Sequence, residues 1–126
     1  MALRVLIVDD SRDDAELTEH ALRMAGLDVE CRSACSEEGL ARALARFEPQ
    51  LVVCDLNLPG WSGREALAAV RARVPGARCV FVTGAVREGE DVSGAEAVVL
   101  KDDLGPLLAL ARALGGALPV HGHAGG

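Results

Sequence analysis

Residues 50–60 read "QLVVCDLNLPG". Leu51–Cys54 is a short apolar, β-rich run, and the turn-forming pair Pro59-Gly60 follows it closely, as after a buried strand. Asp55 stands directly at the end of that run. A carboxylate there costs free energy unless a neighbour stabilises it or a reaction uses it. The rest of the chain has to supply the neighbour.

Four further β-rich runs flank this one: "RVLIV" (4–8), "DVECRS" (28–33), "RCVFV" (78–82) and "AVVL" (97–100). All but the second are nearly continuous apolar runs, as strands covered on both faces of a parallel sheet should be. The second alternates Val29, Cys31 and Ser33 with charged residues, the pattern of an edge strand.

Helical segments lie between the runs. Ser11 opens the first, with Asp13 and Asp14 favourable in its first turn and Gly26 behind Ala25 to end it. Its predicted apolar stripe is Leu17, Ala21, Met24 and Ala25. Ser36 starts the second, where Leu40, Ala43, Leu44 and Phe47 follow the helical period. Ser62 and Glu65 form a capping box for the third, which should bury Ala66, Leu67, Val70 and Val74. The last, over about 104–114, is apolar on most of its circumference. Leu107, Leu110 and Leu114 are expected to be exposed there as a docking or homodimer face. The fourth crossover, 84–96, holds only 13 residues, room for a turn or two of helix.

This alternation predicts an α/β fold: a doubly wound (βα)5 flavodoxin-like sandwich with a parallel sheet in the order 2-1-3-4-5 and a shortened fourth helix. One domain spans 1–114. Residues 115–126 form a Gly-rich tail expected to be mobile, in which His121 and His123 alone make a poor metal site.

The formal net charge of −6 offers no electrostatic footprint for nucleic acid or an anionic membrane. Aromatics are 2% of the residues, too few for base-stacking platforms. No apolar run approaches a membrane span, and "MALRVLIVDD" reaches an acidic pair too early for a signal peptide, so a cytoplasmic location is expected. Cys31 and Cys35, four residues apart on extended chain, lie ~13 Å apart, beyond disulfide reach. Cys54 and Cys79 read as small core residues, and the cysteines as free thiols without a redox role.

The switch point of such a sheet lies between strands one and three, with ligands at the carboxyl ends. Strand one ends in Asp9 and Asp10, strand three in Asp55, strand four in Thr83 and strand five in Lys101. Three carboxylates in one crevice repel each other, and a hard divalent cation relieves that: Mg²⁺, or Mn²⁺. A hydroxyl and an ammonium beside the cation suit a phosphoryl group, with Asp55 as the nucleophile that accepts it.

In this arrangement the chain resembles the receiver domains of two-component response regulators, of the CheY-like superfamily. "VLIVDDSRDDAEL", "LVVCDLNLPGWSG", "FVTGA" and "VVLKDDL" match that family's motifs in order over roughly residues 3–114. The resemblance implies that Asp55 is phosphorylated from the phosphohistidine of a sensor histidine kinase or a histidine phosphotransfer protein. It implies Mg²⁺ held by the side chains of Asp10 and Asp55, by Asp9 through water and by the Asn57 backbone carbonyl. Thr83 and Lys101 would bind the phosphoryl oxygens. The only catalysis implied is the domain's own phosphorylation and dephosphorylation; the alternative is a receiver-like interaction module that works without phosphate. Two positions depart from the family pattern. Asp102 follows the lysine where the family usually has a cis-proline, so a trans bond is expected. Val98 stands where the family often has an aromatic switch residue.

Two rival chemistries fit less well. An aspartyl-phosphate hydrolase of the haloacid-dehalogenase kind wants a second acid two residues after the nucleophile, and Asn57 cannot be one. A nucleotide or flavin site wants glycines in the first turn, where "VDDSRDD" would instead repel a pyrophosphate.

Overall fold

The computed structural model describes residues 2–85, 89 and 92–115. Five parallel strands pair in the order β2-β1-β3-β4-β5. They are β1 (Leu3–Val8), β2 (Val29–Ala34), β3 (Leu51–Asp55), β4 (Arg78–Thr83) and β5 (Ala97–Leu100). Four helices connect and cover them: α1 (Arg12–Met24), α2 (Glu37–Arg46), α3 (Gly63–Arg73) and α4 (Gly105–Ala113). The expected doubly wound sheet is present.

Two separate cores show the winding. Leu40 and Leu44 of α2 and Ala66, Leu67 and Val70 of α3 pack on Leu6, Val8, Val52, Cys54 and Phe81 on one face. Ala15 and Leu22 of α1 and Leu107 and Ala111 of α4 pack on Val5, Ile7, Val53, Val80 and Val99 on the other. Every residue of β3 is buried, which explains why its sequence does not alternate.

The helix starts follow the sequence signals. Ser11 Oγ accepts from the Asp14 amide, Ser36 Oγ from the Gly39 amide, and Ser62 with Glu65 completes the capping box. The turn after β3 is closed by Pro59-Gly60, with Gly60 at φ +77°, a conformation that an L side chain rarely adopts. Gly63 matters for a different reason. A Cβ there would lie 2.7 Å from Phe81 Cε1 and 3.2 Å from the Asp55 carbonyl oxygen, so α3 rests directly on the end of β3. Gly63→Ala is therefore expected to destabilise the fold by ~1–3 kcal/mol through overpacking. A urea midpoint unchanged from wild type would contradict this account of the α3 seat.

Two expectations are corrected. The buried stripe of α1 is Ala15, Thr18 and Leu22, while Leu17 and Met24 are 64% and 73% exposed. Ala15, Thr18 and Leu22, spaced i, i+3, i+7, share the face that packs on the sheet, and Leu17 and Met24 lie on the opposite side of the helix toward solvent. On α4, Leu107 is fully buried and Leu110 and Leu114 are half-buried against the same core, so the exposed leucine face is not present. Its hydrophobicity is spent on the sheet. In the fourth crossover the described residues 84, 85, 89 and 92–96 form turns and irregular chain, not helix. The rest of that crossover, where the shortened fourth helix is expected, and the tail from 116 on with His121 and His123, lie outside the described residues.

The end of that crossover is pinned by contacts from the Arg71 guanidinium to the Gly94 carbonyl and from Arg78 to Glu96. No peptide bond is cis among the described residues, Lys101–Asp102 included, as expected. Cys54 and Cys79 are buried free thiols, and Cys35 is exposed. Burial pushes the half-buried Cys31 thiol up to about 11, which leaves it a poor nucleophile. Among the described residues no helix is long and apolar enough to cross a membrane.

Candidate phosphoacceptor site

Strand register brings the sequence-predicted residues together. Val8 lies opposite Cys54, Asp55 opposite Val82 and Thr83 opposite Leu100, so Asp9, Asp55, Thr83 and Lys101 emerge at one sheet end. The backbone fixes the exits. The Asp9 amide donates to the Ala34 carbonyl (3.0 Å), the Leu56 amide to Val82 (3.0 Å) and the Lys101 amide to Thr83 (2.9 Å).

Asp9, Asp10 and Asp55 each offer a carboxylate oxygen, all within 4.8 Å of one another. Asp9 and Asp55 are buried, and Asp10 is exposed at the rim. Asp9 Oδ1 accepts from the Ser11 amide at 2.9 Å, which ties this carboxylate to the start of α1. Asp55 Oδ1 accepts from the Asn57 amide at 3.0 Å. The Lys101 ammonium reaches Asp55 Oδ2 and Asp9 Oδ2, each at 3.3 Å, and Asp14 Oδ2 at 2.7 Å. Thr83 is fully buried; its hydroxyl donates to the Ala85 carbonyl (2.9 Å) and accepts from Asn57 Nδ2 (3.2 Å).

Carboxylates crowd the site: the Lys101 ammonium contacts Asp9, Asp14 and Asp55, and Asp10 adds a fourth acid at the rim. Burial raises the Asp9 carboxyl above its ordinary range; the Ser11 amide and Lys101 oppose the rise, and Asp55's negative charge adds to it. Burial disfavours the Lys101 ammonium too, but the Asp14 hydrogen bond and the charges of Asp55 and Asp9 outweigh it and raise its pKa. These all-oxygen donors, gathered within 4.8 Å of one another, fit a hard divalent cation. Beside them opens a cleft of about 580 Å³ lined by Asp10, Asn57, Pro59, Trp61 and Arg64.

All six predicted site residues (Asp9, Asp10, Asp55, Asn57, Thr83 and Lys101) therefore meet. Sequence reading missed two relations. Asp14 is read there only as a first-turn acid, yet it makes the shortest contact to Lys101. The Asn57 side chain is linked to Thr83. Only a Ser-x-x-Asp helix start so near the acidic pair hints at the first, and nothing in the chain marks the second.

Comparison with known proteins agrees with this geometry. The family model described as "Response regulator receiver domain" matches residues 5–102. A response regulator receiver protein from Pseudomonas putida shares the fold at TM-score 0.76 and 26% identity, covering 90% of this chain and 98% of that one. The response regulator protein TrrA from Thermotoga maritima, solved in complex with Mg²⁺-BeF, aligns at TM-score 0.74 and 26% identity over 89% and 98% of the two chains. A curated relative, protein-glutamate methylesterase/protein-glutamine glutaminase 6 of Anaeromyxobacter dehalogenans, is 43% identical over 74 residues. Those residues are 58% of this chain and 21% of that protein, so the chain spans about a fifth of the relative's length.

Proposed function

This chain belongs to the response regulator receiver domain family of two-component systems, and on that footing we propose that Asp55 is its phosphoacceptor. The donor would be the phosphohistidine of a sensor histidine kinase or histidine phosphotransfer protein, in the cytoplasm. The observation that carries the reading is the convergence at Asp55. A buried strand-end carboxylate lies 3.3 Å from the Lys101 ammonium and shares a 4.8 Å cluster with Asp9 and Asp10.

In the transfer, an Asp55 carboxylate oxygen forms a bond to phosphorus as the donor's P–N bond breaks, and the donor nitrogen keeps the electron pair. Lys101 offsets the charge on the phosphoryl oxygens, and the Thr83 hydroxyl is the neighbouring neutral donor for them. Asn57 holds Asp55 Oδ1 through its amide, which limits the carboxylate's rotation. Asp9, Asp10 and Asp55, with the Asn57 carbonyl, would hold Mg²⁺ or Mn²⁺, which when bound neutralises charge on the transferred group. Hydrolysis reverses the state: a water oxygen bonds to phosphorus and Asp55 leaves as carboxylate. We propose no chemistry beyond this self-directed pair of reactions. The methylesterase name belongs to the relative, most of whose length this chain does not match.

Incubation with acetyl phosphate and Mg²⁺ should add the mass of one phosphoryl group to the intact protein. Asp55→Asn should add none, and EDTA should abolish the gain in wild type. A gain that persists in Asp55→Asn, or equally in EDTA, would falsify the assignment.

A further inference from the structure

We propose that Asp14 is a positioning residue that competes with the phosphoryl group for Lys101, and so acts as a brake on the phosphorylated state. The inference rests on Asp55 being the acceptor. An ammonium has three donors, and here three carboxylates face it. Asp14 has the shortest contact, 2.7 Å against 3.3 Å for both Asp9 and Asp55. The backbone of Asp14 is itself held, its amide donating to Ser11 Oγ at 3.2 Å. A phosphoryl oxygen on Asp55 can gain Lys101 fully only if the lysine shares or releases Asp14. Asp14 also adds negative charge where a dianionic group must sit.

Its simplest alternative role is that of a first-turn acid favourable to the α1 dipole, a role Asp13 fills as well. The two roles differ in their dependence on Lys101. A dipole contact would act on helix stability whatever residue stands at 101, while a tether acts only through the ammonium.

The test uses beryllofluoride with Mg²⁺, read by the fluorescence of Trp61, the single tryptophan, which lines the cleft beside Asp10 and Asn57. Asp14→Asn is expected to tighten beryllofluoride binding, and to slow loss of the phosphoryl group, by roughly two- to fivefold, the range a half-exposed charge pair carries. Asp14→Glu, which keeps an anion on the same turn, should return toward wild type. In a Lys101→Met background, checked for folding by circular dichroism, Asp14→Asn should change binding far less. Unchanged or weaker binding in Asp14→Asn overturns the proposal, as does an equal gain with and without Lys101. A wild type that takes neither beryllofluoride nor phosphate overturns the acceptor reading itself, and this inference with it.

Discussion

Phe81→Ala is expected to lower the unfolding free energy by ~3–5 kcal/mol, the range seen when a fully buried aromatic ring is truncated. Phe81 heads the fully buried side chains by volume, and the chain has only two Phe, one Trp and no Tyr to fill its cores. The ring sits on the interior strand β4, opposite Cys54 and Val98, and meets the start of α3 near Gly63. Removing it leaves a cavity that rigid β-strands on both sides cannot close. With typical domains stable by about 5–15 kcal/mol, this is a large part of the total. The site should suffer as well, since Thr83 follows two residues later on the same strand face. Equilibrium urea unfolding checks the size of the loss, and a cost below ~1.5 kcal/mol would mean that the helices collapse onto the gap. Phe81→Leu should recover most of the difference.

Saturating Mg²⁺ is expected to stabilise the fold by ~2.7 kcal/mol at one hundred times its dissociation constant. The motive is the unbalanced charge among Asp9, Asp10 and Asp55, whose oxygens lie within 4.8 Å of one another. Asp10→Asn should raise the metal-free stability slightly and remove the metal's effect. A variant that still gains stability on Mg²⁺ addition would show that Asp10 is not a ligand. The pH dependence follows from Asp9. Its folded pKa is raised above the ordinary 3.8, first by burial. The folded state therefore binds this proton more tightly than the unfolded chain does. The associated stability is fully present below 3.8 and is lost as pH rises through the folded value. Thermal unfolding without metal should show this contribution falling across that window, with the benefit of Mg²⁺ appearing above it.

The order of elements and the meeting of the candidate site residues were legible in the chain because both rest on short-range signals. Continuous apolar runs such as Leu51–Cys54 mark strands covered on both faces, and Ser11, Ser36 and Ser62 satisfy the first amides of their helices wherever those helices lie. Given parallel strands and right-handed crossovers, residues that follow strand ends must meet at one edge of the sheet. Asp9, Asp55, Thr83 and Lys101 are therefore brought to one edge by the order of the chain alone.

What only the tertiary structure decided depends on how elements press together. The chain offers Leu17 and Met24 as an apolar stripe for α1, but the helix is turned so that Ala15, Thr18 and Leu22 face the core instead. Two apolar stripes at helical spacing compete on α1, and only its rotation against the sheet decides which of them is buried. The leucines of α4 resemble a free docking face until Leu107 is seen buried on the same sheet face that α1 covers. The contact from Asp14 to Lys101 joins residues 87 positions apart, one in the first turn of α1 and one just after β5, so it exists only once those elements are placed. A sequence states which charges reach the site; only packing states which of them the ammonium holds most closely.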